Sequence, residues 1–84
     1  MKIIEHIVMG EEGVHARIAV TLAHVAKKYS AKIIVRKDDK CADLKNMMET
    51  VALCIKQNQN IYVEISGEDE IKAADDISRL IENL

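Results

Sequence analysis

The chain has 84 residues, of which 49% are hydrophobic and 31% are charged, and its formal net charge is −2. This length suits one domain, over residues 1–84, with a modest core. The small negative charge and the presence of only two aromatic residues, Tyr29 and Tyr62, argue against nucleic acid as a partner. No apolar run approaches the roughly 18 residues of a membrane span, and the first residues do not look like a signal peptide. We therefore expect a cytoplasmic protein that does not insert into membranes.

The cysteines and histidines do not have the spacing of a metal site. Cys41 and Cys54 form no CxxC motif and are expected to be small core or near-surface residues. His24 follows His15 by nine residues, a rotation of about 900° on a helix, so the two rings face opposite sides. His6 is expected to be a packed or edge residue of a strand. We expect neither a metal nor a cofactor.

The first quarter of the chain predicts a strand followed by a helix. Residues 2–9 are rich in isoleucine and valine, which is typical of a strand, and glycines at 10 and 13 end it. Residues 16–28 have apolar side chains at helical spacing, so one stripe of the helix should face a core. These side chains, continued by the tyrosine just beyond the helix, are Ile18, Leu22, Val25, Ala26 and Tyr29.

The middle of the chain predicts a hairpin and a short helix. Residues 31–37 form a second β-branched run, Asp38 and Asp39 make a turn, and residues 40–42 return as a short strand. Residues 45–55 then show a short helical stripe.

The last third predicts a half-buried strand and an amphipathic helix. Residues 61–66 alternate strictly, with Ile61, Val63 and Ile65 on one face. Residues 70–84 have an apolar stripe at helical spacing. Its members are Ile71, Ala74, Ile77, Leu80, Ile81 and Leu84.

The resulting order, βαββαβα, predicts an α+β fold in which an antiparallel sheet carries its helices on one face. The other face is then open to water. Ile7, Ile34 and Tyr62 would point to that open face. They are either single exposed apolar residues or part of a dimer or partner surface. We expect a monomer, with a dimer through the open sheet face as the alternative.

The motif GVHAR, at residues 13–17, places His15 and Arg17 directly after a glycine and at the start of the first helix. A helix N-terminus presents unpaired N–H groups and partial positive charge, so it binds anions readily. An imidazole at this position could carry a phosphoryl group, with the arginine neutralising its oxygens. The alternative is that both residues are ordinary solvated surface residues.

The element order and the GVHAR motif resemble HPr, the histidine-containing phosphocarrier of the bacterial phosphoenolpyruvate-dependent sugar phosphotransferase system. The segment DLKNMM at residues 43–48 is similar to that family's regulatory-serine segment, and GED at residues 67–69 is also similar. The resemblance covers essentially the whole chain. It implies the HPr open-faced β-sandwich, a four-stranded antiparallel sheet covered on one face by three helices.

The resemblance also implies a specific chemistry. His15 would accept a phosphoryl group on Nδ1 from the phosphorylated first enzyme of the system and pass it to the sugar-specific permease component. Arg17 would hold the phosphoryl oxygens, and Met47, Met48 and Val51 would contact the protein partners. Such a protein is a stoichiometric carrier and not a self-sufficient enzyme.

Three residues depart from the family pattern. Ile18 replaces a usual proline, Asn46 stands at the regulatory-serine position, and Glu49 adds a negative charge to the expected docking surface. An amide accepts no phosphate, so regulation at Asn46 should be absent, although the side chain is still able to cap a helix. These departures motivate an alternative function, an HPr-like regulatory module that docks on a transcription factor or an enzyme.

Overall fold

The computed structural model describes residues 1–83 and has the element order predicted from the sequence. The alternating β-branched runs form the strands, and the segments with helical spacing form the helices. The strands are β1 (Lys2–Ile7), β2 (Lys32–Lys37), β3 (Lys40–Asp43) and β4 (Asn60–Ser66). The helices are α1 (Ala16–Ala26), α2 (Met47–Ala52) and α3 (Glu70–Ile81).

The four strands form one antiparallel sheet in the order β1-β4-β2-β3. The alternation along β4 decides which face is buried, because successive strand side chains point to opposite faces. Ile61, Val63 and Ile65 are at most 2% exposed beneath the helices, as predicted, and Ile33 and Val35 of β2 join them. The expected α+β open-faced β-sandwich is therefore confirmed.

The opposite face of the sheet is open, and its apolar side chains alternate with charged ones. Ile7 is 53% exposed and Tyr62 37% exposed. Between them and the half-buried Ile34, the Arg36 Nε donates to Glu64 Oε2 at 3.1 Å. This hydrogen bond, with the charge of Glu64, raises the pKa of Arg36. The open face thus carries paired charges, and a dimer through it stays a prediction.

Helix α2 is shorter than the predicted residues 45–55. Asn46 caps its start, because the side-chain oxygen accepts from the Glu49 backbone N–H at 3.2 Å. Past its end, Cys54 has a φ of 53°, which turns the chain away from the helix axis. Leu53 and Ile55 continue the apolar pattern as buried residues of the cap and loop.

Strand β1 and helices α1 and α3 end earlier than predicted and β2 begins one residue later, whereas β3 and β4 are each one residue longer than predicted. Strand β1 ends at Ile7, although Val8 is fully buried and its N–H donates to the Gln59 carbonyl at 3.0 Å. Helix α1 ends at Ala26 instead of residue 28, and the prediction for Leu84 lies outside the described residues.

The predicted burial of Ile71 in the stripe of α3 is wrong, since this side chain is 68% exposed. The i+3 spacing drifts by about 60° per step, so Ile71 lies about 120° around the helix from Ile77. Ala73, Ile77 and Ile81, four residues apart, are the buried positions.

Side chains tie the C-terminal end of α1 to the start of α3. The Asp69 carboxylate accepts from the backbone N–H groups of Ser30 at 2.8 Å and Ala31 at 2.9 Å. These hydrogen bonds, the one from Ser30 first, lower the pKa of Asp69. The Tyr29 hydroxyl donates to Asp76, and this hydrogen bond raises the pKa of Tyr29. The connection between α1 and β2 is therefore bound to α3 and its N-cap through one side chain, Tyr29, and through two backbone N–H groups.

Two further observations concern the whole described chain. Across residues 1–83, the helices are all too short or too polar to cross a bilayer. Both cysteines, Cys41 and Cys54, are exposed free thiols, so the near-surface expectation was right and the core expectation wrong.

Candidate functional site

A glycine fixes the loop that leads into α1. Gly13 has a φ of +64°, a left-handed conformation that disfavours other residues. A Cβ at this position would collide with the Ile55 carbonyl oxygen and lie 2.8 Å from the Cα of Lys56. The next residue, Val14, is buried and donates its N–H to the same carbonyl at 3.0 Å. The loop is thus held against the chain that follows α2.

His15 is the N-cap residue of α1, directly before its first helical residue. Its backbone is extended, its carbonyl accepts the first helical hydrogen bond from Ala19 N–H at 3.0 Å, and its side chain makes no capping bond. The amides of Ala16, Arg17 and Ile18 therefore have no partner within the helix. The imidazole is 28% exposed, so it lies at the surface beside the N-terminus of α1 and is not turned into the core.

Glu12 contacts the imidazole. Its Oε2 lies 2.8 Å from His15 Nε2, and its own side chain is 73% exposed. An ionised carboxylate can only accept a hydrogen bond, so the proton must lie on Nε2. In the neutral ring, Nδ1 then keeps its lone pair. The sequence indicated two acids near this loop, Glu11 and Glu12, without showing which one reaches the ring.

Arg17 and His15 line the same shallow depression, of about 380 Å³. The other residues that line it are Gly10, Glu11, Glu12, Gly13, Ile18 and Asn83. The Arg17 side chain is exposed. An anion here would meet the Arg17 guanidinium as well as the amides and dipole of α1, which bind phosphate oxygens well, and it would also face the carboxylates of Glu11 and Glu12.

The three residues predicted to contact partners lie on α2, which packs beside α1. Met48 is 70% exposed, while Met47 and Val51 are half-buried and pack against the core. The stripe is therefore only partly buried. One methionine is thus fully available on the surface, and its role in partner binding remains a prediction.

The three departures from the family pattern have clear local roles. Ile18 is half-buried against the core, a contact that a proline would not make in the same way. Asn46 caps α2, as predicted, and its amide donates to Glu49 Oε2 at 3.0 Å. Glu49 is exposed, and part of its carboxylate is used in this cap.

Comparisons with known proteins agree with this fold and motif. The family model described as "PTS HPr component phosphorylation site" matches residues 4–83. The phosphocarrier protein HPr of Lysinibacillus sphaericus is 32% identical over 81 residues, which cover 96% of this chain and 92% of that protein. The histidine-containing phosphocarrier protein of a mycoplasma superimposes with a TM-score of 0.94 at 29% identity, covering 98% of this chain and 93% of the other.

A longer protein contains the same unit. The multiphosphoryl transfer protein of Haemophilus influenzae is 31% identical over 80 residues, which are 92% of this chain and 16% of that protein. The fold and these relatives define a small phosphocarrier built on an open-faced β-sandwich. The chain belongs to the HPr family, the phosphocarrier proteins of the phosphotransferase system.

Proposed function

We propose that His15 is the residue that carries the phosphoryl group, accepting it from the phosphorylated first enzyme of the sugar phosphotransferase system and passing it to a sugar-specific permease component. The observation that carries this proposal is the partly exposed imidazole at the N-terminus of α1, with its Nε2 in contact with Glu12 and with Arg17 lining the same depression. The protein acts as a stoichiometric carrier in the cytoplasm, where its two exposed thiols stay reduced.

The geometry suits transfer in both directions. Phosphoryl transfer needs positioning and neutralisation of charge more than it needs covalent help. The open amides of α1 and the Arg17 guanidinium supply positive charge on this side, and a partner completes the site. Because the ring lies at the surface, two different partners can reach it in turn.

Docking of the partners is assigned to α2 and its neighbour α1. Met48 is exposed and flexible, and methionine adapts well to partners of different shape. Met47 and Val51 support it from half-buried positions. Asn46 cannot be phosphorylated, so ATP-dependent regulation at this position is absent and the side chain serves the helix cap instead.

The alternative function, a regulatory module that docks on a transcription factor or an enzyme, is not favoured. The chain shares its family, and nearly its full length, with phosphocarriers. No observation in the described part of the chain favours a second function over the relay.

The test is phosphorylation with phosphoenolpyruvate and the first enzyme of the system. We expect acid-labile phosphate on the wild-type protein and none on a His15→Ala variant. His24→Ala is the matched control, because His24 is an exposed histidine of the same helix, half a turn away from His15, and should label like the wild type. Absence of label on the wild type, under conditions that label another HPr, would reject the proposal.

A further inference from the structure

We propose that Glu12 is a positioning residue for His15, selecting Nδ1 as the nucleophile and balancing the charge that the ring gains on phosphorylation. The inference rests on the proposed function of His15 and adds a second side chain to it. Glu12 is the acid that touches the imidazole, with Oε2 at 2.8 Å from Nε2. Glu11, its neighbour, makes no such contact in the described part of the chain.

The contact is local and needs little reorganisation. Glu12 and His15 are three residues apart and are separated by the left-handed turn at Gly13. The rest of that turn is held by the Gly13 N–H to Gly10 carbonyl bond at 3.0 Å and the Val14 N–H to Ile55 carbonyl bond. These bonds fix the backbone around Glu12, so its carboxylate, although 73% exposed, lies within reach of the ring.

The Nδ1 lone pair forms the new N–P bond while the bond between phosphorus and the donor breaks, and the donor leaves with that electron pair. No proton moves, since Nε2 keeps its hydrogen throughout. The ring changes from neutral to positively charged, and the Glu12 carboxylate at Nε2–H offsets that charge, much as a carboxylate steadies an imidazolium in a catalytic triad. In the reverse transfer the contact returns the ring to the same tautomer.

The contact with Glu12 should therefore keep the proton on Nε2, leave Nδ1 as the nucleophile and speed phosphoryl acceptance. A carboxylate forms a charge-assisted hydrogen bond that is roughly twice as strong as the bond a neutral amide forms. Because Glu12 is largely exposed, solvent weakens this advantage. Glu12→Gln should therefore slow phosphoryl acceptance by His15 about three- to tenfold, without loss of the fold.

The experiment compares the wild type, Glu12→Gln and the control Glu11→Gln, which removes the same charge one residue away. The first readout is the ¹⁵N chemical shifts of the His15 ring in the unphosphorylated protein, at a pH where the ring is neutral. The second is the initial rate of labelling by the phosphorylated first enzyme. We expect a pure Nε2–H tautomer in the wild type and in Glu11→Gln, and a mixture of tautomers together with slower labelling in Glu12→Gln.

The outcomes separate the two proposals. A wild-type protein that takes no phosphoryl group overturns the proposed function of His15, whatever the ring shifts show. A wild type that is labelled, with Glu12→Gln matching it in both ring shifts and rate, overturns only the role of Glu12. Equal slowing in Glu11→Gln and Glu12→Gln, with unchanged tautomers, also overturns that role, because the effect would then come from the charge of the loop alone.

Discussion

At its N-terminal end, α1 begins beside a loop held by backbone contacts, whereas past its C-terminal end the chain is held by side chains. The first region, residues 10–17, is called the site end here, and the second, residues 29–31 with 67–70, the anchored end. At the anchored end, Asp69 satisfies the amides of Ser30 and Ala31. At the site end, the amides of the first turn of α1 have no such acceptor within the helix.

This difference leaves hydrogen-bond donors open at one end of the helix, while those at the other end are satisfied within the protein. Buried or fixed polar groups normally find partners within the protein. Here the anchored end follows that rule, while the site end keeps donors available for a visiting group. Both ends nevertheless contain a glycine at a close backbone approach, Gly13 against Ile55 and Gly67 against Ala31. The backbone is therefore fixed at both ends. The ends differ in whether their backbone N–H groups have hydrogen-bond acceptors within the protein.

The largest expected effect, on both stability and phosphoryl acceptance, comes from a substitution at the site end. Gly13→Ala places a methyl group against the Ile55 carbonyl and forces a non-glycine residue into a left-handed conformation. We expect the free energy of unfolding to fall by about 2–4 kcal/mol and phosphoryl acceptance to be lost even in the folded fraction. Urea denaturation and the labelling assay measure the two effects.

Gly67→Ala is the matched change at the anchored end, where a Cβ would lie 2.7 Å from the Ala31 Cα. It should lower stability too, but its folded fraction should accept the phosphoryl group at the wild-type rate. If Gly13→Ala labelled as fast as Gly67→Ala, the loop geometry at the site end would not matter for transfer.

A smaller effect is expected from the exposed methionine of α2. Met48→Ala should raise the apparent KM for the first enzyme about fivefold, which corresponds to about 1 kcal/mol of lost apolar contact. The stability of the free protein should hardly change, because the side chain is 70% exposed. Steady-state phosphorylation at varied carrier concentration gives the apparent KM.

Ile71→Ala serves as the control for Met48, since Ile71 is 68% exposed on the first turn of α3, at the anchored end. Its KM should equal that of the wild type. Similar increases for both variants would show that the partners do not distinguish α2 from the start of α3.

The smallest effect depends on pH and belongs to the anchored end. The lowered pKa of Asp69 means that its ionised form stabilises the fold. That contribution is fully present above the ordinary Asp pKa of about 3.9 and is lost as the pH falls through the lower folded value. Asp69→Asn should therefore be less stable than the wild type at neutral pH, and the difference should shrink in acid.

Urea midpoints measured between about pH 7 and pH 3 test this dependence. Asp75→Asn is the control, because Asp75 is exposed on the same helix. A gap between the wild type and Asp69→Asn that stayed constant down to the acid limit would contradict the assignment. Phosphoryl acceptance at neutral pH should be unchanged in both variants.

Most of the fold could be read from the sequence because its signals are local. The alternation at Ile61, Val63 and Ile65 is strict enough to define both strand and buried face. The pair Asp38 and Asp39 marks the hairpin, and in the structure Asp38 has a φ of 54°. Element ends were less accurate, since Leu53 and Ile55 keep an apolar pattern going after the helix has stopped.

The sequence predicts the residues of the candidate site but not the contacts that these residues make. His15 and Arg17 are recognisable from the GVHAR motif and its position before a helix. The choice of Glu12 over Glu11 as the acid at the ring depends on the left-handed turn at Gly13. The turn packs closely against the backbone of Ile55, which lies about forty residues further along the chain. Sequence-local reasoning has no access to such a contact.

If His15 carries the phosphoryl group, as we propose, the 28% exposure of its imidazole limits the lifetime of the phosphorylated protein. Water reaches a phosphoryl group held at a rim, so hydrolysis competes with every hand-over. The useful lifetime of the loaded protein is then governed by how often it collides with a recipient, and not by how slowly a pocket opens. The proposed carrier would therefore depend on rapid encounter with its recipients.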